Sequence, residues 1–176
     1  MILATVVVVL TVLVGGQQPA SAIATHSAAS ACSVTSPNHH AAPNGSDPMP
    51  NGMAQTWHGN DSIGTNLWPD GTIVFKPGGP GFVLSDGALQ MKFLWLKAPG
   101  THLTVSGERL DGTSAPLRAD IDTQFDAKGL QPSYLIFPTA GCWRVSATAG
   151  GETLMFVTSV VKIGDGPAAL PNARDD

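Results

Sequence analysis

One run near the C-terminal end constrains the fold more than any other part of the chain: Phe137-Pro138-Thr139-Ala140-Gly141-Cys142-Trp143-Arg144-Val145. Apolar segments of alternating polarity lie on both sides of it. Proline cannot donate to a β-ladder and ends a strand, and glycine permits a tight turn. The run therefore predicts a strand that ends near Pro138, a turn at Gly141 and a second strand that enters a core through Trp143.

Further alternating segments recur between turn residues, at 72–76, 88–97, 103–110, 117–125, 134–137, 142–148 and 153–163. No stretch of comparable length has a helical period. Short strands separated by Gly, Pro and Asp-Gly turns are typical of a sandwich or barrel. The chain is therefore predicted to be all-β, an antiparallel sandwich of seven or eight strands. The expected core residues are Phe93, Trp95, Ile121, Phe137, Trp143 and Phe156.

The composition excludes some classes of partner. Apolar residues make up 43% of the chain and charged residues 12%, against about a quarter charged in an average domain. The net charge of −4 provides no basic face for nucleic acid or anionic lipid. We therefore expect no nucleic-acid partner, and membrane contact only through a signal segment or a lipid anchor.

The N-terminal segment indicates export. Ile2 to Val14 is uninterrupted apolar sequence, shorter than the roughly 20 residues of a spanning helix and suited to the core of a secretory signal. Small residues in 19–22 predict cleavage after Ala22, although no Lys or Arg precedes the apolar run. The alternative is an uncleaved membrane anchor. Residues 1–22 are thus predicted to be a signal peptide of an extracytoplasmic protein.

The remaining chain divides by composition into three parts. Residues 23–56 are rich in Ala, Ser, Pro, Asn and Gly and are predicted to form a disordered spacer. Residues 57–163 carry the predicted sandwich. Residues 164–176 contain two prolines and terminal acids and are expected to be a flexible tail.

The two cysteines leave alternatives open. Cys32 could pair with Cys142, since exported proteins meet an oxidising compartment; it could be the acylated first residue of a lipoprotein; or it could be a free linker thiol. Cys142 neighbours Trp143, so the two side chains point to opposite faces of their strand. Cys142 then shares a face with Arg144, and a thiol beside a cation can have a lowered pKa and be reactive. The alternative is a small apolar side chain buried under a neighbouring loop.

A metal-like cluster lies mainly in the spacer: His39, His40, Met49, Met53 and His58. Imidazole and thioether groups suit copper. The alternative is an ordinary linker composition, because the residues have no regular spacing.

Two tryptophans precede the first clear strand. Trp57 and Trp68 either pack as a lid over the core or form an aromatic patch for a ligand such as a glycan. They are the predicted binding residues.

No constellation predicts catalysis. Asp120, Asp122 and Asp126 lie near one another, and paired carboxylates serve acid–base chemistry or bind calcium, but a solvated strand face accounts for them equally. His102 has no motif partner. We predict no catalytic residue and no cofactor.

Four motifs resemble those of a family of uncharacterised exported bacterial proteins: Trp68-Pro69-Asp70-Gly71, the segment 91–95, the segment 103–112, and Phe137-Pro138-Thr139-Ala140-Gly141-Cys142-Trp143 followed by 154–157. The resemblance covers about 67–161. It implies an immunoglobulin-like sandwich and an envelope location, and it implies no activity.

These observations favour a non-enzymatic envelope domain that binds an unknown envelope macromolecule or has a structural role. The alternative is a periplasmic or cell-surface copper- or metal-binding protein that uses the His/Met residues. A hydrolase that uses the outer carboxylates is a third hypothesis.

Overall fold

The computed structural model describes residues 32–169. It is 44% strand, in ten strands: β1 (Trp57–Gly59), β2 (Ile63–Asn66), β3 (Thr72–Phe75), β4 (Phe82–Val83), β5 (Leu89–Lys97), β6 (Thr104–Arg109), β7 (Arg118–Ile121), β8 (Leu130–Phe137), β9 (Gly141–Ala149) and β10 (Glu152–Lys162). Three short 3-10 turns lie at Ala54–Thr56, Pro69–Gly71 and Thr123–Phe125. Within the described residues, no helix has both the length and the apolar character needed to cross a membrane.

The strands form two sheets. The first has the order β1-β2-β5-β8-β7, with β4 paired to β5 as well, and all of its pairs are antiparallel. The second has the order β3-β10-β9-β6, in which β3 runs parallel to β10 and the other pairs are antiparallel. The two sheets pack face to face, so the all-β prediction is confirmed and the architecture is that of a sandwich.

Aromatic rings from both sheets fill the space between them. Phe93 of β5 stacks on Trp95 of the same strand at 6.0 Å between ring centroids and on Phe156 of β10 at 6.2 Å, and Trp95 is tilted against Phe156 at 6.3 Å. Phe137 meets Trp143 edge to face, at 5.7 Å. These five side chains are at most 3% exposed, because the alternation of each strand directs them to one face.

One predicted strand is shorter than expected. The segment 117–125 stays extended only to Ile121, where β7 ends. The Asp122 carboxylate accepts a hydrogen bond from the Gln124 amide and caps the turn Thr123–Phe125. Capping of this kind competes with the ladder. Ile121 is therefore only partly buried beside the core.

The segment from Cys32 to Thr56 differs from the predicted spacer. The Thr35 N–H donates to the Val157 carbonyl at 2.9 Å, and the Val157 N–H donates to Thr35 Oγ1 at 2.8 Å. Asn38 binds the N–H and the carbonyl of Gly59. Over 32–56 the prediction of disorder is wrong; residues 23–31 and the predicted signal 1–22 lie outside the described residues.

The segment 32–56 is ordered because it covers an open edge of β10. Strand β3 pairs only with Ser159–Lys162, so the first half of β10 lacks a partner strand on that side. Open edges need cover, because they present unpaired N–H and C=O groups. Thr35 covers Val157, and His58 and Asn60 reach the carbonyls of Met155 and Thr153.

Part of the predicted flexible tail also packs against the sandwich. The Val83 N–H donates to the Ala168 carbonyl at 3.1 Å, and Val83 forms a parallel bridge with Ala169. Residues 166–169 thus lie beside β4, and residues 170–176 are outside the described range.

Candidate functional site

A disulfide joins Cys32 to Cys142 across 110 positions of sequence, with a Cα–Cα distance of 5.4 Å. Of the three alternatives for Cys32, the structure contains this one. Cys142 lies on β9 next to Trp143, and the two side chains face opposite sides of the sheet, 5% and 0% exposed. The bond fixes the start of the described chain on the outer face of the second sheet.

A pocket of about 440 Å³ lies beside this anchored segment, lined by residues 34–37, 55–56 and 68–71. We call it the Trp68 pocket. The first wall, residues 34–37, begins two positions after Cys32. The second wall, residues 55–56, precedes β1, and the third, residues 68–71, contains the turn before β3. Three stretches that are distant in sequence therefore form one concave surface.

The turn that carries Trp68 has a demanding backbone. Pro69 occupies the first position of the 3-10 turn, and Asp70 and Gly71 both have positive φ, at 53° and 62°. Aspartate tolerates this region better than most residues. At Gly71 a Cβ atom would collide with the Val34 side chain, so glycine lets the anchored segment approach the turn.

The two predicted binding tryptophans have different environments. Trp68 is half-buried and packs against the core from the pocket rim. Trp57 is 1% exposed and lies over Gly64, where a Cβ atom would collide with its indole ring. A buried ring offers no surface to a ligand, so Trp57 fits the lid interpretation and not a binding role.

Polar groups in the Trp68 pocket keep free hydrogen-bonding capacity. Thr35 Oγ1 accepts from the Val157 N–H, which leaves its own O–H to donate. Thr56 Oγ1 donates to the Met53 carbonyl at 3.3 Å, which leaves its lone pairs to accept. The exposed side chains of Ser36, Gln55 and Asp70 add a hydroxyl, an amide and a carboxylate.

A second, open groove of about 530 Å³ lies on the outer face of the first sheet. Register places Lys92, Tyr134 and Asp120 side by side on β5, β8 and β7. Asp122 also lines it but is engaged with Gln124. Asp126 is separate and meets His102 Nδ1 at 2.8 Å, so the three carboxylates do not converge.

The copper hypothesis rested on side chains that have separate partners. His39 Nδ1 lies 3.1 Å from the Ala54 carbonyl, and His40 Nε2 lies 2.8 Å from Asp61. His58 Nε2 lies 3.3 Å from the Met155 carbonyl, and burial lowers the pKa of His58. Met49 and Met53 are half-buried. In the range 32–169, no three His, Cys, Asp or Glu side chains are arranged to hold a metal ion.

Sequence reasoning missed Lys97, which is fully buried at the end of β5. Its ammonium donates to the carbonyls of Thr101, Asp126 and Lys128 at 2.7, 2.9 and 3.2 Å. Burial lowers the pKa of Lys97, and the nearby charge of Asp126 opposes that effect. The sequence did contain a sign of this, because Lys97 continues the inward alternation that ends at Trp95.

No protein-family model matches the chain, and no curated protein is significantly similar to it. The resemblance carried by the four motifs therefore stays a prediction, and the functional proposal must rest on the geometry of the site.

Proposed function

We propose that this chain is an exported, immunoglobulin-like domain that binds a macromolecule of the cell envelope in the Trp68 pocket and catalyses no reaction. The strand order supports the immunoglobulin-like part. The sheet order β5-β8-β7 against β10-β9-β6 corresponds to strands B-E-D against G-F-C of such sandwiches. Strand β3, parallel to the last strand, takes the place of a split first strand.

The disulfide supports the extracytoplasmic part. Disulfides persist in oxidising compartments and are rare in the cytosol. The Cys32–Cys142 bond is consistent with the apolar run Ile2–Val14 as an export signal.

One observation carries the binding role: the Trp68 pocket is built from three distant stretches that covalent and hydrogen bonds hold in place. The first wall is fixed by Cys32 and by the pairing of Thr35 with Val157. The third is fixed at Gly71, whose carbonyl accepts from Thr158 Oγ1 at 2.9 Å. Such preorganisation reduces the ordering cost that binding must overcome. The groove at Tyr134, by contrast, lies on a strand face open to solvent.

The test is capture of envelope material by the full chain purified from its host. The mature chain is expected to begin at Ile23 by mass spectrometry. The wild-type protein should retain an envelope component that Trp68→Ala and Ser36→Trp both lose. Trp68→Ala removes the aromatic surface, and Ser36→Trp fills the pocket without touching the core.

Circular dichroism must show that both variants stay folded, and Asp120→Asn at the other groove should bind normally. Capture unaffected by Ser36→Trp would refute the pocket assignment. Reproducible hydrolase activity abolished by Asp120→Asn would refute the absence of catalysis.

A further inference from the structure

We infer that the ligand of the Trp68 pocket is a neutral, hydroxyl-rich chain, that is, a glycan without charged groups. The inference rests on the proposed function, because it names the ligand class of the same pocket.

Charge argues against anionic ligands and against a bound metal cation. Residues 34–37, 55–56 and 68–71 contain no Lys, Arg or His. Phosphate, sulfate and carboxylate groups would therefore lack the cationic partner that such sites use. The single carboxylate, Asp70, falls short of the oxygen set that a bound metal cation requires.

The aromatic ring supplies an apolar platform. Trp68 is held against the core on one side and is open to the pocket on the other. The negative face of an indole attracts the weakly positive C–H groups of a sugar ring. Pro37 and Pro69 extend the apolar surface at the rim.

The polar groups match the edge of a sugar rather than its face. Thr35 has an O–H free to donate, and Thr56 has lone pairs free to accept. The Asp70 carboxylate can accept from two neighbouring hydroxyls at once. A polyol needs such mixed donors and acceptors, because each hydroxyl that loses water must find a partner.

The main chain of the pocket argues against an extended peptide. Peptides that add to a sheet edge need free backbone N–H and C=O groups. Here the Thr35 N–H is bonded to Val157, the Gly71 N–H to the Trp68 carbonyl, and the Leu67 N–H occupies the Thr56 carbonyl. The ligand therefore meets side chains, as a glycan does.

Titration with defined oligosaccharides tests the ligand class. The probes are chitohexaose, cellohexaose and maltohexaose, with the anionic hexagalacturonate as the charged comparison. The four tryptophans give separate indole N–H signals in two-dimensional NMR, and Trp68→Ala assigns one of them. At millimolar probe, at least one neutral oligosaccharide should shift the Trp68 signal and leave those of buried Trp95 and Trp143 unchanged. If none of the three does so, or if hexagalacturonate binds most tightly, the inference is wrong.

Asp70→Asn is the most informative variant. Asparagine tolerates positive φ as well as aspartate does, so the turn should persist while the charged acceptor is lost. Affinity for the neutral oligosaccharide should fall about tenfold, the usual scale for a hydrogen bond to a charged group. The matched control Asp120→Asn should have no effect. The reverse pattern would place the sugar in the other groove.

Chemical treatment of the envelope separates this inference from the proposed function. Periodate cleaves the bond between vicinal diol carbons, oxidises both carbons to aldehydes and is itself reduced to iodate, so it destroys glycans that carry such diols. Internal 1,4-linked N-acetylhexosamine residues lack a vicinal diol, and a chitinase treatment covers that class. Loss of pocket-dependent capture after either treatment supports the glycan. Capture that survives both treatments and is lost after protease treatment overturns the glycan, while the proposed binding function stands. Capture that never depends on the pocket removes both.

Discussion

Replacing the buried ammonium of Lys97 should destabilise one end of the sandwich. Lys97→Met keeps an unbranched apolar stem of similar length, but it removes the donor of the Thr101 and Lys128 carbonyls and one of the two donors of the Asp126 carbonyl, which also accepts from the Gly100 N–H. These carbonyls belong to two loops that also contact each other directly, through the Gly100 N–H on the Asp126 carbonyl at 2.9 Å and through His102 Nδ1 and the Asp126 carboxylate at 2.8 Å. The substitution therefore tests how much Lys97 Nζ adds to these direct contacts.

The magnitude follows from the three lost hydrogen bonds. A buried acceptor left unsatisfied costs about 1–3 kcal/mol. Water can reach loops at the end of a sandwich, and methionine no longer buries a charge, so the lower value applies to the Thr101 and Lys128 carbonyls. The Asp126 carbonyl keeps the Gly100 N–H and loses one hydrogen bond, worth about 1 kcal/mol. The expected loss is about 3 kcal/mol, which lowers the melting temperature by about 10 °C for a domain of this size.

Urea and thermal unfolding followed by circular dichroism measure the effect, with the exposed Lys92→Met as the matched control, expected within about 0.5 kcal/mol of wild type. The pH dependence adds a second readout. Burial lowers the folded pKa of Lys97 below its ordinary value of 10.5. Between the lowered pKa of the folded protein and 10.5, the unfolded chain binds more protons than the folded one. Wild-type stability should therefore rise with pH in this range relative to the variant. A Lys97→Met loss no larger than that of Lys92→Met would show that the carbonyls do not depend on the ammonium.

Three further predictions concern the anchored segment and the core. The double substitution Cys32→Ser with Cys142→Ser should cost about 2–4 kcal/mol, and hydrogen exchange at the Val157 amide should accelerate as Thr35 detaches. Burial lowers the pKa of His58 below its ordinary value of 6.5, so just below pH 6.5 the unfolded chain binds more protons than the folded one. Stability should therefore fall as the pH drops through that range. In melting curves recorded across this pH range, His58→Gln should remove most of the pH dependence. Trp143→Ala should cost about 3–5 kcal/mol in denaturant unfolding, since the ring is fully buried, and a loss under about 1 kcal/mol would contradict that burial.

Local periodicity made the central strands predictable. The alternation in 88–97 and 153–163 corresponds to β5 and β10, whose inward residues are buried. The adjacent Gly150 and Gly151 are typical of a hairpin turn, and both have positive φ between β9 and β10. Such features depend only on neighbours in sequence. Strands β1, β2 and β4 are two to four residues long, too short for a period to be recognised.

The pocket was predictable in one wall only. Trp68-Pro69-Asp70-Gly71 has the composition of a turn, and the turn exists. The opposite wall depends on Thr35, which bonds to a residue 122 positions away, and on a disulfide whose pairing the sequence left open. The low complexity of 23–56 pointed to disorder, because composition contains no record of an open edge on β10 elsewhere in the chain.

The position of Cys142 links the stability of the domain to the proposed site. On β9, Trp143 faces the core and Cys142 faces outward, so adjacent residues of one strand serve opposite sides of the sheet. The disulfide joins Cys142 to Cys32 on the outer face of the sheet. Two residues after Cys32, the Val34 side chain lies against Gly71 at the pocket. The first pocket wall is therefore bonded covalently to a strand whose opposite face packs in the core. The covalent bond thus has a role beyond restricting the unfolded chain: it sets where the wall of the Trp68 pocket begins.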